Sequence, residues 1–410
     1  MFLNLAYKSL LHRKSSVLLT IIAMTISIVV ILGVDHIRVQ AKNSFSSSVS
    51  GTDLIVGSRS GSLNLLLYSV FRMGSPTQNM SWKTYNTLAK DRAVNWTIPI
   101  ALGDSHRSYR VLGTNNNYFD HFKYGEKQAL TFQQGNKFAH VLDVVLGFEV
   151  AKRLNYNIGD NITLSHGIGS TSFTHHEELS FTVTGILTPT GTPVDQTLHV
   201  SLEGLEAVHL PSKKAKQAIQ PKTKLDSPIA MQLQPTSITA TFIGLKSRGM
   251  VFHFKRKIDQ YRSEPLMAIL PGVVLAELWQ SMNILENTLR LIAFLVYISA
   301  LFGLMAILIA SMKERSKEIS LMRMMGARPS FVYWFIELEA MIIAMVSTLS
   351  ALLLLQFGLL LSKSVVLEKF GVALETSLSY GAITPLISII IAMAFVTAIP
   401  PAFIAYKGAK

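Results

Sequence analysis

Apolar positions along this chain follow two patterns. Residues 16–34, 291–312, 340–361 and 382–405 form uncharged apolar runs of 19, 22, 22 and 24 residues. A hydrocarbon core of about 30 Å takes about 20 apolar residues in a helix, so each run predicts a membrane span. In the long stretch between the first and second runs the apolar positions are short and periodic. Leu179, Phe181 and Val183 alternate with Ser180, Thr182 and Thr184, the period of a half-buried strand over 178–185. Further strands are predicted at 54–56, 110–112, 141–146, 161–164 and 239–243. Helices are predicted at 82–90, 148–154, 202–209 and 252–262. Residues 188–193, Thr-Pro-Thr-Gly-Thr-Pro, predict a turn-rich loop. Residues 213–224, with Pro211, Pro221 and Pro228 around them, read as a linker between two subdomains. The expected fold is a membrane protein with four transmembrane helices (1+3) and a large α+β domain inserted between helices 1 and 2.

The boundaries follow from these runs. Residues 1–15 carry Leu3, Ala6, Tyr7 and Leu10 on one face and form a short amphipathic helix lying on the membrane. The first span covers 16–36. The extramembrane domain covers 37–288, with 37–45 and 274–290 extending the flanking spans into a helical stalk. The remaining segments are the spans 289–312, 331–361 and 382–405, the loops 313–330 and 362–381, and a tail at 406–410. The first run is read as a retained anchor, because Asp35-His36-Ile37-Arg38 follows it and no small-x-small cleavage site does.

Charge sets the orientation. Charged residues are 15% of the chain, against about 25% in a soluble domain. The net charge of +13 is not a nucleic-acid footprint, because its excess sits at span ends. Lys8, Arg13 and Lys14 precede the first span, Lys313, Arg315, Lys317, Arg323 and Arg328 lie between the second and third, and Lys407 and Lys410 follow the fourth. Only Glu314 and Glu318 oppose them. Lys and Arg mark cytoplasmic loops, so both termini and the 313–330 loop are expected inside and the large domain outside. The absence of Cys removes disulfide and thiol chemistry.

The 313–330 loop is the most specific segment. Glu314 and Glu318 lie one helical turn apart, and Ile319, Met322 and Met325 form an apolar stripe beside Leu321 and Met324. Gly326 can cap this helix and Pro329 can start the next. An exposed helix with a methionine-rich stripe suits a partner groove; a surface helix that only obeys the charge rule is the alternative. Among weaker signals, Glu337 and Glu339 open the third span, suited to pairing with an arginine at the interface or to a proton relay. His175, His176 and Glu177 are metal-ligand types, in a solvated loop or a divalent-metal patch. Leu65, Leu66, Tyr68 and Phe71 belong to a stretch unusually apolar for an exterior segment, either core or a surface for a hydrophobic substrate or partner. No G-x-S-x-G nucleophile setting is present. No G-x-x-x-x-G-K-[ST] phosphate loop is present either, so the chain is not itself an ATPase or other enzyme.

The pattern Glu314-Arg315-x-x-Glu318-Ile319-x-x-x-Arg323-x-x-Gly326-Ala327 directly after a span, with Glu339-Ala340 opening the next, resembles the MacB/FtsX/LolC-type permeases of ABC transporters. Residues 145–154 with Ile158-Gly-Asp160, and the closing Ile399-Pro-Pro-Ala402, extend the resemblance over the whole chain. It implies four spans, a stalk and a periplasmic domain in a bacterial inner membrane, working by mechanotransmission. The 313–330 loop then corresponds to a coupling helix seated on a separate ABC ATPase, with Leu321, Met322, Met324 and Met325 in contact. ATP and Mg would be bound by that partner, in two copies, and none by this chain. A second permease copy, as a homodimer, and a periplasmic adaptor are further implied partners. The third span has Gly358 alone where relatives are often Gly-rich, and Ser347, Ser350 and Ala351 offer close packing instead. The implied activity is movement of a hydrophobic or amphipathic substrate (lipoprotein, lipid, peptide or drug) from the periplasmic side. The alternatives are an FtsX-like signalling regulator, a metal-related ABC system, and a plain membrane-anchored binding module.

Overall fold

The computed structural model describes residues 10, 13–166, 175–210, 219–220, 222–314, 324, 328–370 and 380–408. The chain divides into a helical unit, Met1–Gln40, Met282–Val366 and Leu374–Lys410, and a sheet unit, Ala41–Ser281 with Leu367–Ala373.

Four helices are long and apolar enough to cross a membrane: Lys14–Ser47, Pro271–Glu314, Pro329–Phe370 and Tyr380–Gly408. Proline opens the second and third, where its fixed φ suits a first turn and its missing N–H breaks no bond. The first two are 34 and 44 residues long, about 51 and 66 Å at 1.5 Å per residue, well beyond a bilayer core. Each therefore continues as unbroken helix past its apolar run, over the residues from which the sequence predicts a stalk. In the helical unit the buried residues recur at helical spacing. Tyr297, Leu301, Leu304 and Leu308 meet Met24, Ile28 and Leu32, and Ala394, Ala398 and Ala402 let the last helix approach closely. The Tyr297 hydroxyl donates to the Ile390 carbonyl at 2.8 Å, and Thr25 Oγ1 to the Ser347 carbonyl at 3.3 Å. Ser347 and Ala351 are thus buried inside one chain, against the first span. Leu18, Leu19, Leu353, Leu354 and Phe357 face outward, as lipid requires.

The described residues of the sheet unit form fourteen strands. They are β1 (Leu54–Ser58), β2 (Met80–Ser81), β3 (Val94–His106), β4 (Tyr109–Thr114) and β5 (Lys123–Tyr124). Next come β6 (Gln128–Ala129), β7 (Phe132–Gly135), β8 (Asp143–Leu146), β9 (Asn161–His166) and β10 (His175–Leu187). The last are β11 (Thr197–Ser201), β12 (Ser237–Ile238), β13 (Ala240–Leu245) and β14 (Leu266–Ile269). Ten form one sheet in the order β14-β1-β13-β3-β4-β11-β8-β10-β7, with β9 pairing both β10 and β3. Because β9 returns to β3, the strands β3, β4, β11, β8, β10 and β9 close into a ring. Alternation explains its filling. Leu179, Phe181 and Val183 of β10, Val144 and Leu146 of β8, and Leu198 and Val200 of β11 share one core. Val145 of β8 and Leu112 of β4 face a second core, on the opposite side of the sheet.

The first half of β3 instead pairs β13, in an open sheet with β1 and β14. The helix Ser62–Phe71 covers one face of this part, and the helices Trp82–Ala89 and Val251–Asp259 cover the other. These two parts belong to one sheet and share β3. Of the expected linker 213–224, residues 213–218 and 221 lie outside the described residues.

A buried acid marks the junction. Asp104, on β3, has its Oδ2 at 3.7 Å from His209 Nε2, just after the helix Leu202–Val208. The carboxylate raises the imidazole's pKa above its ordinary value of about 6.5. His209 is therefore protonated more readily in the fold than in the unfolded chain. Its contribution to stability is full below about pH 6.5 and is lost as the pH rises through the raised folded value. Melting curves between pH 6 and 9 should show the melting temperature falling across that window, and His209→Gln should flatten this fall. A profile untouched by the substitution would remove the pair as its source.

Candidate coupling site

The first two long helices are tied together just beyond their apolar runs. Arg38 Nε donates to Glu286 Oε2 at 2.5 Å, and Arg290 Nη2 donates to Asp35 Oδ1 at 2.7 Å. Arg38 Nη1 also lies 3.6 Å from Asp35 Oδ1, so four charges run Glu286–Arg38–Asp35–Arg290 without a surplus. Each is partly exposed, and an isolated exposed pair is worth about 0–1 kcal/mol. Two cations and two anions linked across two neighbouring helices form a network, which contributes more than an isolated pair. The sequence reading assigned these residues no role. Their signal is local: Asp35 and Arg38 are three apart, Glu286 and Arg290 four apart, and each pair adjoins an apolar run.

At the other end of the helical unit, Arg13 Nη2 lies 3.7 Å from Glu339 Oε2, with Glu339 only 1% exposed. This is the arginine pairing expected of the acids opening the third span. Glu337 is equally buried, and its polar neighbour among the described residues is the Tyr333 hydroxyl, one turn earlier. A carboxylate in that setting is costly unless it is neutral or gains a partner.

The connector between the second and third long helices is described only at Glu314, Met324 and Arg328. Glu314 ends the second helix, and Met324 is helical and 77% exposed. Arg315, Glu318, Leu321, Met322, Arg323, Met325 and Gly326 lie outside the described residues.

The remaining candidates fall in the sheet unit. Leu65, Leu66 and Tyr68 are 0% exposed and Phe71 is 7% exposed, all on the buried face of the helix Ser62–Phe71 and in its core. The surface reading of these four is corrected. Gly57 on β1 makes room for the helix, since a Cβ there would meet Leu65 Cδ1 at 2.7 Å and Tyr68 Oη at 3.3 Å. His175, His176 and Glu177 belong to β10 in their backbone, and their side chains lie outside the described residues. Among the described residues no group of three His, Asp or Glu is placed to hold a metal.

The profile of the MacB-like periplasmic core domain matches residues 17–241, and that of the FtsX-like permease C-terminal region matches residues 290–409. Among solved structures, the chain is similar to the periplasmic region of MacB from Actinobacillus actinomycetemcomitans, with 13% identity, 56% of this chain and 94% of that chain covered, and a TM-score of 0.35. It is also similar to the extracellular domain of the noncanonic ABC-type transporter YknZ from Gram-positive bacteria, with 11% identity, 53% and 98% covered, and a TM-score of 0.30. No curated protein matches the chain. With the first profile spanning more than half of the sequence and the second most of the remainder, the chain belongs to the MacB/FtsX-like family of ABC-transporter permeases.

Proposed function

We propose that this chain is the membrane subunit of an ATP-driven complex that transmits movement along its first two helices to the periplasmic domain. The observation that carries this reading is that these two helices contribute residues to both units without a break. A separate ABC ATPase, in two copies, docks on the 313–330 connector inside the cell and holds ATP and Mg. Closure of the ATPases tilts the connectors, and the Asp35–Arg290 and Arg38–Glu286 clasp makes the two helices move together. A second copy of the chain completes the assembly. The apolar packing through the middle of the helical unit favours transmitted force over conduction through the bilayer. The substrate class is a hydrophobic or amphipathic molecule taken from the periplasmic side.

The test is a pull-down of the tagged, detergent-solubilised chain, with ATP hydrolysis assayed on the eluate. Wild type should retain an ATPase. Met322→Glu/Met325→Glu should lose at least about tenfold of the captured activity, equivalent to about 1.4 kcal/mol of docking free energy. A folded wild-type protein that retains no ATPase would overturn the reading and leave a membrane-anchored binding domain. Hydrolysis that responds to a periplasmic protein partner, with no cargo, would favour the regulator.

A further inference from the structure

The sheet unit holds a cleft of about 350 Å³ whose lining carries three cations and one acid. Lys123, Lys127 and Arg248 line it, and none of their side chains makes an ion pair or hydrogen bond among the described residues. The one acid on the wall, Asp120, is already engaged by Lys137 at 2.9 and 3.0 Å. Other lysines of this unit do find acids, as Lys255 does with Asp259 and Lys257 with Asp91, both at 2.5 Å. Three unpaired cations facing one concavity repel each other and focus a positive field into it.

The backbone is bent to place one of them. Lys127 sits at φ 62° in the tight hairpin of β5 and β6, beside Gly125 at φ 54°. Left-handed backbone is uncommon for a residue with a long side chain, and glycine or asparagine would sit there more easily. A strained lysine directed at a basic cleft points to a role at that cleft. Trp96 and His121 also line the cleft. Trp96 lies across the sheet from Gly244, its indole occupying the place of a Cβ there, and His121 stacks on it with ring centroids 5.2 Å apart and planes 2° from parallel. The hairpin is itself tied to the end of the first long helix: Gly125 N–H donates to the Ser47 carbonyl at 2.8 Å, and Ser50 N–H to the Lys123 carbonyl at 3.1 Å.

We propose that this cleft binds a phosphate-bearing anion. A tetrahedral group with several charged oxygens can accept from an arginine and two lysines at once, where a carboxylate offers two oxygens. The same chemistry is supplied by a phospholipid headgroup or by free phosphate. The site is independent of the coupling reading above, because it rests on no residue of the connector and its test requires no ATPase.

The experiment uses the full chain in detergent and follows tryptophan fluorescence during titration with inorganic phosphate and, separately, with short-chain phosphatidylglycerol. A Trp96→Phe chain identifies the responding indole. Lys127→Gly deletes the cation while relaxing the backbone, so it should melt at the same temperature as wild type or higher. The expected result is a saturable, Trp96-dependent signal, weakened at least about tenfold in Lys127→Gly and in Arg248→Ala. Saturation by phosphate alone assigns the site to the free anion; saturation only by the lipid assigns it to a headgroup. No saturable response to either probe, or full affinity in both variants, overturns the proposal.

Discussion

Leu66→Asp is expected to leave the sheet unit unfolded. Leu66 is 0% exposed and shares a core with Ile55 of β1 and with Tyr118, Phe119 and Phe122. Losing its burial alone costs about 2–3 kcal/mol, and an ionised carboxylate in that environment adds several more unless it protonates. Together these rival the 5–15 kcal/mol that holds a typical domain folded. Tyr68→Asp, two residues on and equally buried, should behave alike. Leu66→Met, which keeps the volume, should cost under about 1.5 kcal/mol. Limited proteolysis of the full chain in detergent separates these outcomes: wild type and Leu66→Met should yield the same resistant fragment, and the aspartate variants none. An aspartate variant that stays resistant would restore the surface reading of this helix.

Arg38→Glu is expected to uncouple the two long helices. It faces Asp35 and Glu286 with a third carboxylate and leaves Arg290 as the only cation among four charges. Stimulated ATP hydrolysis by the assembled complex should fall at least about tenfold, while Arg38→Glu/Glu286→Arg, which re-forms the 38–286 pair and returns the four charges to two of each sign, should recover part of it. The native chain has no cysteine, so Asp35→Cys/Arg290→Cys introduces the only two thiols. A short bifunctional thiol reagent should then join the helices within one chain and arrest the cycle. A reversed-charge variant with normal coupling would reduce the clasp to a surface ornament.

The parts legible in the sequence are those where one solvent or one core dictates the pattern. Lipid demands long apolar helices, and all four stand where the runs lie. The strand β10 shows its alternation because Leu179, Phe181 and Val183 fill the ring core. The strand β3 is missed for the opposite reason. Residues 97–101 are buried on both faces, which erases alternation, and Pro99 and Gly103 both argue against a strand. Pro99 is accommodated where β3 passes from β13 toward β4, its carbonyl accepting from Thr114 Oγ1 at 2.8 Å. Tyr68 and Leu66 read as apolar without revealing which side they face, because a ten-residue helix covered on one side and capped by solvent on the other carries little sequence contrast. The Asp35–Arg290 clasp was hidden because 255 residues separate its partners, and only the knowledge that the two helices are neighbours makes their charges complementary.

The length of the second helix has a mechanical meaning. A rod of 44 residues, about 66 Å long, pivoting by about 5° at one end sweeps its other end through about 6 Å. That arc exceeds the roughly 4.8 Å between neighbouring strands. With such leverage, a swing of a few degrees at one terminus arrives at the other as the width of a whole strand, and a shorter helix with a flexible joint would dissipate it.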